Sequence, residues 1–197
     1  MKRQFTLLFL AAAAIHAQGL VLLEEHTATG ASSINFTSCI GVGYNTYQIE
    51  LEQLTPSVTS ASLLLRLSTD GGVTFDTANS YPWTGTYSTR TGITAGGSDA
   101  ATAVDLGAGG VITNAPAGSG LMGGYSGHLY FSNPLGGVQQ MAMRGQGGFA
   151  VVGIPHAIQA MAVWTARYLP TAPATAFQVL FSTGTVTGTA RCYGLAK

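Results

Sequence analysis

The closest approach to a catalytic serine in the sequence is Gly124-Tyr125-Ser126-Gly127-His128, which puts histidine where a nucleophile elbow requires its last glycine. Gly107-Ala108-Gly109-Gly110 and Gly41-Val42-Gly43 lack the further glycine spacing and the following helix of a phosphate or dinucleotide loop, and read as turns. His26, His128 and His156 stand apart from any acidic pair that would orient them for proton transfer, and His16 lies in an apolar N-terminal run. Glu50 and Glu52 share one face of an alternating segment, whereas glycoside hydrolysis needs two carboxyl groups set across a cleft. Cys39 and Cys192 have no metal-site partners at suitable spacing. Bonded to each other they would close a loop across nearly the whole chain. A single pair offers no framework spacing to test, however, and the reading favours two separate buried thiols. These residues imply no enzyme, no metal and no cofactor.

Two constellations carry more information. Ser68-Thr69-Asp70-Gly71-Gly72-Val73-Thr74-Phe75 resembles an Asp-box, a Ser-x-Asp-x-Gly-x-Thr-aromatic hairpin found in sialidases and other β proteins. It implies a structural turn on Ser68, Asp70 and Gly72, with the aspartate accepting from backbone N–H groups in its own turn. Asp70, Asp76 and Asn79 offer three oxygen donors, short of the 6 to 8 that calcium takes. Tyr81, Trp83 and Tyr87 follow at near-alternate positions and are candidate glycan contacts, since flat aromatic faces with polar rims suit sugar rings. Core packing against an opposite sheet competes with that reading, because large aromatics are mostly buried.

The elements that would position these residues are strands. Only 8% of the 197 residues are charged, against about 25% in ordinary domains. The eight basic and eight acidic side chains leave no excess to neutralise phosphates, so nucleic-acid binding is not expected. Lys2 and Arg3 precede an apolar run from Phe5 to Ile15, shaped like a secretory signal peptide or an apolar arm retained on the chain. That run is too short to span a bilayer, and no integral membrane span is expected. Ile34 and Phe36, then Tyr47, Ile49 and Leu51, alternate with polar neighbours as half-buried strands do. Leu63 to Leu67 is a continuous apolar strand, residues 85–127 read as long loops between short strands, and His128 to Ser132 is a strand stopped by Asn133-Pro134. Ala157 to Leu169 fits either a helix or an alternating strand and is assigned as strand. Phe177 to Phe181 and Val186 to Tyr193, joined by Ser182-Thr183-Gly184-Thr185, read as a closing hairpin. The expected fold is all-β, an antiparallel β-sandwich, jelly-roll-like, over residues 19–197, with an apolar segment at 1–18.

Taken in order, Leu22-Leu23-Glu24-Glu25-His26-Thr27-Ala28, Ile34-Asn35-Phe36-Thr37, Tyr44-Asn45-Thr46-Tyr47-Gln48-Ile49, Ser68-Thr69-Asp70-Gly71-Gly72 and Gly188-Thr189-Ala190-Arg191-Cys192-Tyr193-Gly194-Leu195 form a series. It resembles tailed-bacteriophage virion structural proteins of the tail, tail-fibre or minor structural class. The resemblance runs from about Leu20 to the C terminus and is weakest between Gly85 and Gly127. It implies a non-enzymatic fibre, spike or decoration on tail or capsid that assembles as a homo-oligomer, a trimer by analogy with phage fibres. Its partners would be other virion proteins and a host-surface glycan. Leu20, Val21, Leu22 and Leu23 are the expected assembly contacts. An exported carbohydrate-binding or adhesion module is the alternative that the leader supports.

Overall fold

The computed structural model describes residues 19–114, 123–136, 139–151 and 158–195, and every strand or helix among them is a strand. The leader expected at 1–18, His16 and His156 lie outside the described residues. In chain order the strands are β1 (Leu20–Ala31), β2 (Ile34–Phe36), β3 (Thr46–Pro56), β4 (Leu63–Ser68), β5 (Tyr81–Thr89), β6 (Gly92–Ala101), β7 (Val104–Asp105), β8 (Tyr125–Ser132), β9 (Met141–Val151), β10 (Ile158–Tyr168), β11 (Ala176–Phe181) and β12 (Val186–Leu195). They form an antiparallel sheet ordered β1-β12-β3-β8-β9-β10-β5-β6 and a smaller one ordered β2-β11-β4-β7.

The order reveals the winding. β1 pairs with β12, β2 with β11, β3 with β8 and β4 with β7, so the chain is a long antiparallel ribbon rolled until alternate pairs fall in opposite sheets. That is the eight-stranded jelly roll. Two hairpins are inserted in it. β9–β10 extends the larger sheet beyond β8, and β5–β6 docks on β10.

Alternation drives this. In β9, Met141, Met143, Gly145, Gly147 and Phe149 are buried while Ala142, Arg144, Gln146 and Gly148 are exposed, the period of a strand with one wet face. The β10 segment follows the same rule, with Ala162, Trp164 and Tyr168 inward and Met161, Val163, Thr165 and Arg167 outward. Between the sheets of the roll, Phe36 stacks on Phe177 at 4.5 Å, and Phe131 meets Phe177 edge-on at 5.1 Å. Beneath the inserted hairpins, residues 106–112 take the place of a second sheet. Leu106, Ala108 and Ile112 are fully buried there, and Ala61 bridges to Ile112.

Three expectations are corrected. β11 and β12 are strands, yet they do not form a hairpin. β11 sits between β2 and β4, and β12 between β1 and β3, so residues 182–185 arch from one sheet to the other. A strand apolar on both faces, as β11 is at Ala176, Phe177 and Val179, suits the middle of a covered sheet better than an edge ribbon. The stretch from Gly85 to Gly127 holds more strand than expected among its described residues, for the end of β5 and the ten residues of β6 fall in it. The cysteines are not separate thiols: Cys39 and Cys192 are bonded, with Cα atoms 6.2 Å apart. Rolling the ribbon brings the loop after β2 over the last strand, a neighbourhood that spacing along the chain does not express.

Candidate functional site

The Ser68–Thr74 loop leaves β4 and is closed at its base by the Asp76 N–H donating to the Leu67 carbonyl at 2.8 Å. Ser68 Oγ donates to Asp70 Oδ1 at 2.6 Å and accepts from the Gly72 N–H at 2.9 Å. Asp70 in turn accepts from the Thr74 N–H at 2.9 Å and from Thr74 Oγ1 at 2.6 Å. Gly71 and Gly72 have φ of 75° and 89°, where a Cβ is strained, which is why the loop needs two glycines. β4 and β5 lie in different sheets, so this is a closed arch and not a hairpin. The hydrogen bonds from Ser68, then those from Thr74, lower the Asp70 pKa to about 2. Asp76 accepts from the Ala78 N–H at 2.7 Å and from the Tyr168 hydroxyl at 3.0 Å, so the two carboxylates are spent on separate loop contacts and do not converge on a cation.

Asp70→Ala is therefore expected to lower the melting temperature at neutral pH. A carboxylate depressed from about 4 when unfolded stabilises the fold above that value and loses its contribution as pH falls towards 2. The parent should lose stability between pH 4 and pH 2 more steeply than the variant, as melting curves at stepped pH will read. Superposable pH profiles would refute the loop's role.

The three aromatic candidates are separated. Tyr81 is 0% exposed; its hydroxyl accepts from the Leu67 N–H at 2.9 Å and donates to the Asp76 carbonyl at 3.1 Å, and burial pushes its pKa well above the usual phenol range. It is a core strut and no glycan contact. Trp83 is half-buried on the inner side of β5, with the far end of its indole against Gly96. Tyr87, also half-buried, lies 6.2 Å from the Phe149 ring and borders a shallow depression with Thr89, Thr91, Ile93 and Thr94. No shared stacking platform results, because register puts all three inward with Trp164 and Ala162.

Glu50 and Glu52 project from β3 towards Arg191, whose Nη1 lies 2.7 Å from Glu52 and 3.8 Å from Glu50, while its Nε pairs with Glu25 of β1. Tyr193 also donates to Glu50 at 3.1 Å. This is a solvated cross-strand network bordering open depressions, and both carboxylates lean on Arg191 from one strand face instead of facing each other across a cleft. His26 does have an acidic neighbour, Glu24, at 2.8 Å. Glu24 also accepts from the Ser38 N–H at 2.9 Å, tying β1 to the Cys39 loop. Burial raises the Asp105 pKa to about 6, and its carboxylate holds the Gly107 N–H at 2.9 Å as a turn anchor. Among the described residues no group of three or more His, Cys, Asp or Glu side chains is placed to hold a metal ion.

Two surface features stand out. The first is the β1 edge of the larger sheet. Leu20, Val21 and Leu22 are 49%, 43% and 51% exposed there, and only Leu23 packs partly against the core. The second is an open groove of about 480 Å³ on the outer face of β9, β10 and β5, bordered by Thr84, Asp99, Ser132, Ala142, Arg144, Thr165 and Arg167. Sequence reasoning missed the groove. The outward alternation of Ala142 and Arg144 is legible in the sequence, but the register that sets Arg167 beside them is not.

Comparison of the chain with protein-family models, with curated proteins and with solved structures finds no match.

Proposed function

We propose that this chain is a non-enzymatic structural component of a bacteriophage virion, a fibre, spike or decoration on tail or capsid, assembled as a homotrimer through its N-terminal edge. The observation that carries the reading is the β1 edge, which no strand among the described residues covers. Leu20, Val21 and Leu22 present three consecutive apolar side chains beside a row of backbone groups that pairs with no strand among the described residues, a surface that isolated proteins blunt with charge or proline. The ordered motif series from Leu22 to Leu195 supports it, as does the jelly-roll winding, an architecture common in viral capsid and lectin domains. Low surface charge lets such faces meet with little desolvation of ions.

A chain beginning at Gly19 is expected to scatter light as an oligomer, and Leu20→Ser, Val21→Ser, Leu22→Ser together should shift it to monomer with an unchanged melting curve. Antibody against the chain should label purified particles in electron micrographs. A monodisperse monomer at high concentration and unlabelled particles would defeat the reading. A second reading, an exported carbohydrate-binding or adhesion module, is favoured by the Cys39–Cys192 bond, since disulfides persist in oxidising compartments. N-terminal sequencing of native protein separates the two: cleavage near Ala17 marks export.

A further inference from the structure

With so few charges in the chain, where they sit is informative. Arg66, Arg90, Arg144, Arg167 and Arg191 are the basic side chains of lysine and arginine among the described residues. Arg191 is claimed by three glutamates, and Arg66 Nε donates to the Thr102 carbonyl at 3.3 Å. Arg144 and Arg167, by contrast, make no ion pair among the described residues, although both are exposed on one face of adjacent strands. Arg144 stands opposite Thr165 and Arg167 opposite Ala142, which makes the two guanidinium groups diagonal neighbours. Like charges so placed repel unless an anion lies between them.

Their surroundings combine an apolar floor, to which Pro82, Trp83, Ala142 and Ala166 contribute, with a polar rim. Arg144 lies over the Tyr130 ring at 5.2 Å, an attraction that holds its planar fork in place before any ligand arrives. Ala142 contributes no bulk to the floor, while Thr84, Ser132 and Thr165 border it with hydroxyls and Asp99 with a carboxylate. Hydroxyls that both donate and accept, beside a carboxylate that accepts, match the hydroxyls of a sugar ring. Paired guanidinium forks match a carboxylate or sulfate on it. A volume of about 480 Å³ exceeds what a lone inorganic anion needs and falls within the range of small-ligand sites.

We propose that this groove binds an anionic saccharide, its acidic group held by Arg144 and Arg167 and its ring hydroxyls by Thr84, Ser132, Thr165 and Asp99. The proposal is independent of how the chain assembles. The test titrates the purified full chain with hexagalacturonate, sialyllactose and a heparin hexasaccharide, with maltohexaose as the neutral control, and records light scattering on the same samples. The carboxylated and sulfated probes tell which acidic group is preferred. At least one acidic probe is expected to bind, more weakly as salt rises, while maltohexaose binds at least tenfold more weakly. R144Q/R167Q should lose tenfold or more in affinity with its melting curve intact, and R144K/R167K, which keeps the charge but not the fork, should fall between. Failure of all three acidic probes, equal binding by R144Q/R167Q, or equal binding of maltohexaose would overturn the proposal, and none of these results bears on the oligomeric state.

Discussion

A chain carrying Cys39→Ala and Cys192→Ala is expected to melt far below the parent, and reductant should lower the parent towards the same point while leaving the variant unmoved. The bond joins residues 153 positions apart. Constraining a loop of that length removes entropy from the unfolded chain worth about 5 kcal/mol in the chain-entropy treatment. Domain stabilities are only about 5–15 kcal/mol, so this one link is a large share of the total. Both cysteines are buried, and the alanine variant adds a small packing loss; reduction of the parent isolates the loop effect. Hydrogen exchange should rise first in β1, because Glu24 anchors that strand to the Ser38 amide beside Cys39. A parent indifferent to reductant would mean that the two sulfurs are not joined.

Gly145→Ala is the second large effect. Gly145 faces the core from β9, and a methyl group there would lie 2.5 Å from Trp164 Cζ2 and 2.9 Å from Leu129 Cβ. Trp164 is 1% exposed and among the largest side chains in the interior, so neither neighbour can withdraw without moving backbone. Overpacking of this kind costs about 1–3 kcal/mol, and Trp164→Ala, which opens a cavity, about 3–5 kcal/mol. The two should not add. With the indole gone, the methyl of Gly145→Ala keeps only its contact with Leu129, so Gly145→Ala is expected to cost less in the Trp164→Ala background than in the parent, as denaturant unfolding of the four proteins will show. Strict additivity would mean that the glycine is there for some reason other than the indole.

How far the sequence reaches is clearest where alternation and pairing part company. Ile34 and Phe36, Tyr47 to Leu51, Leu63 to Leu67 and, of the ambiguous segment Ala157 to Leu169, Ile158 to Tyr168 fall in strands, because a sheet with one wet face writes a period of two into the chain. Partners are another matter. Nothing local distinguishes Ser182-Thr183-Gly184-Thr185 as an arch between sheets from a hairpin turn. The difference is made by β2 and β3, about 150 residues earlier, which take the positions beside β11 and β12. The β6 strand escaped notice because Gly92 to Ala101 is small and polar and lies at the sheet edge, exposed along most of its length. For Tyr81, Trp83 and Tyr87 core packing is the stronger of the two sequence readings, and the register turns Trp83 and Tyr87 inward as burial does Tyr81. The arginine groove was out of reach for the same reason, since its two cations come from strands whose alignment is a property of the hairpin and not of either segment.

The rolled ribbon also sets a timetable for synthesis. Among the described residues β1 pairs with β12 alone, so β1 lacks that partner until residues 186–195 have left the ribosome. At about 5–20 residues per second, Leu20, Val21 and Leu22 wait on the order of ten seconds or more as an unpaired apolar strand. β2 likewise waits for β11, whereas β4 with β7 and β3 with β8 have both their strands by Ser132. The order of synthesis therefore makes the inner pairs of the ribbon available before the outer ones. A nascent chain halted before Val186 would leave β1 without its β12 partner, an apolar strand open on both sides of the kind that holdase chaperones recognise.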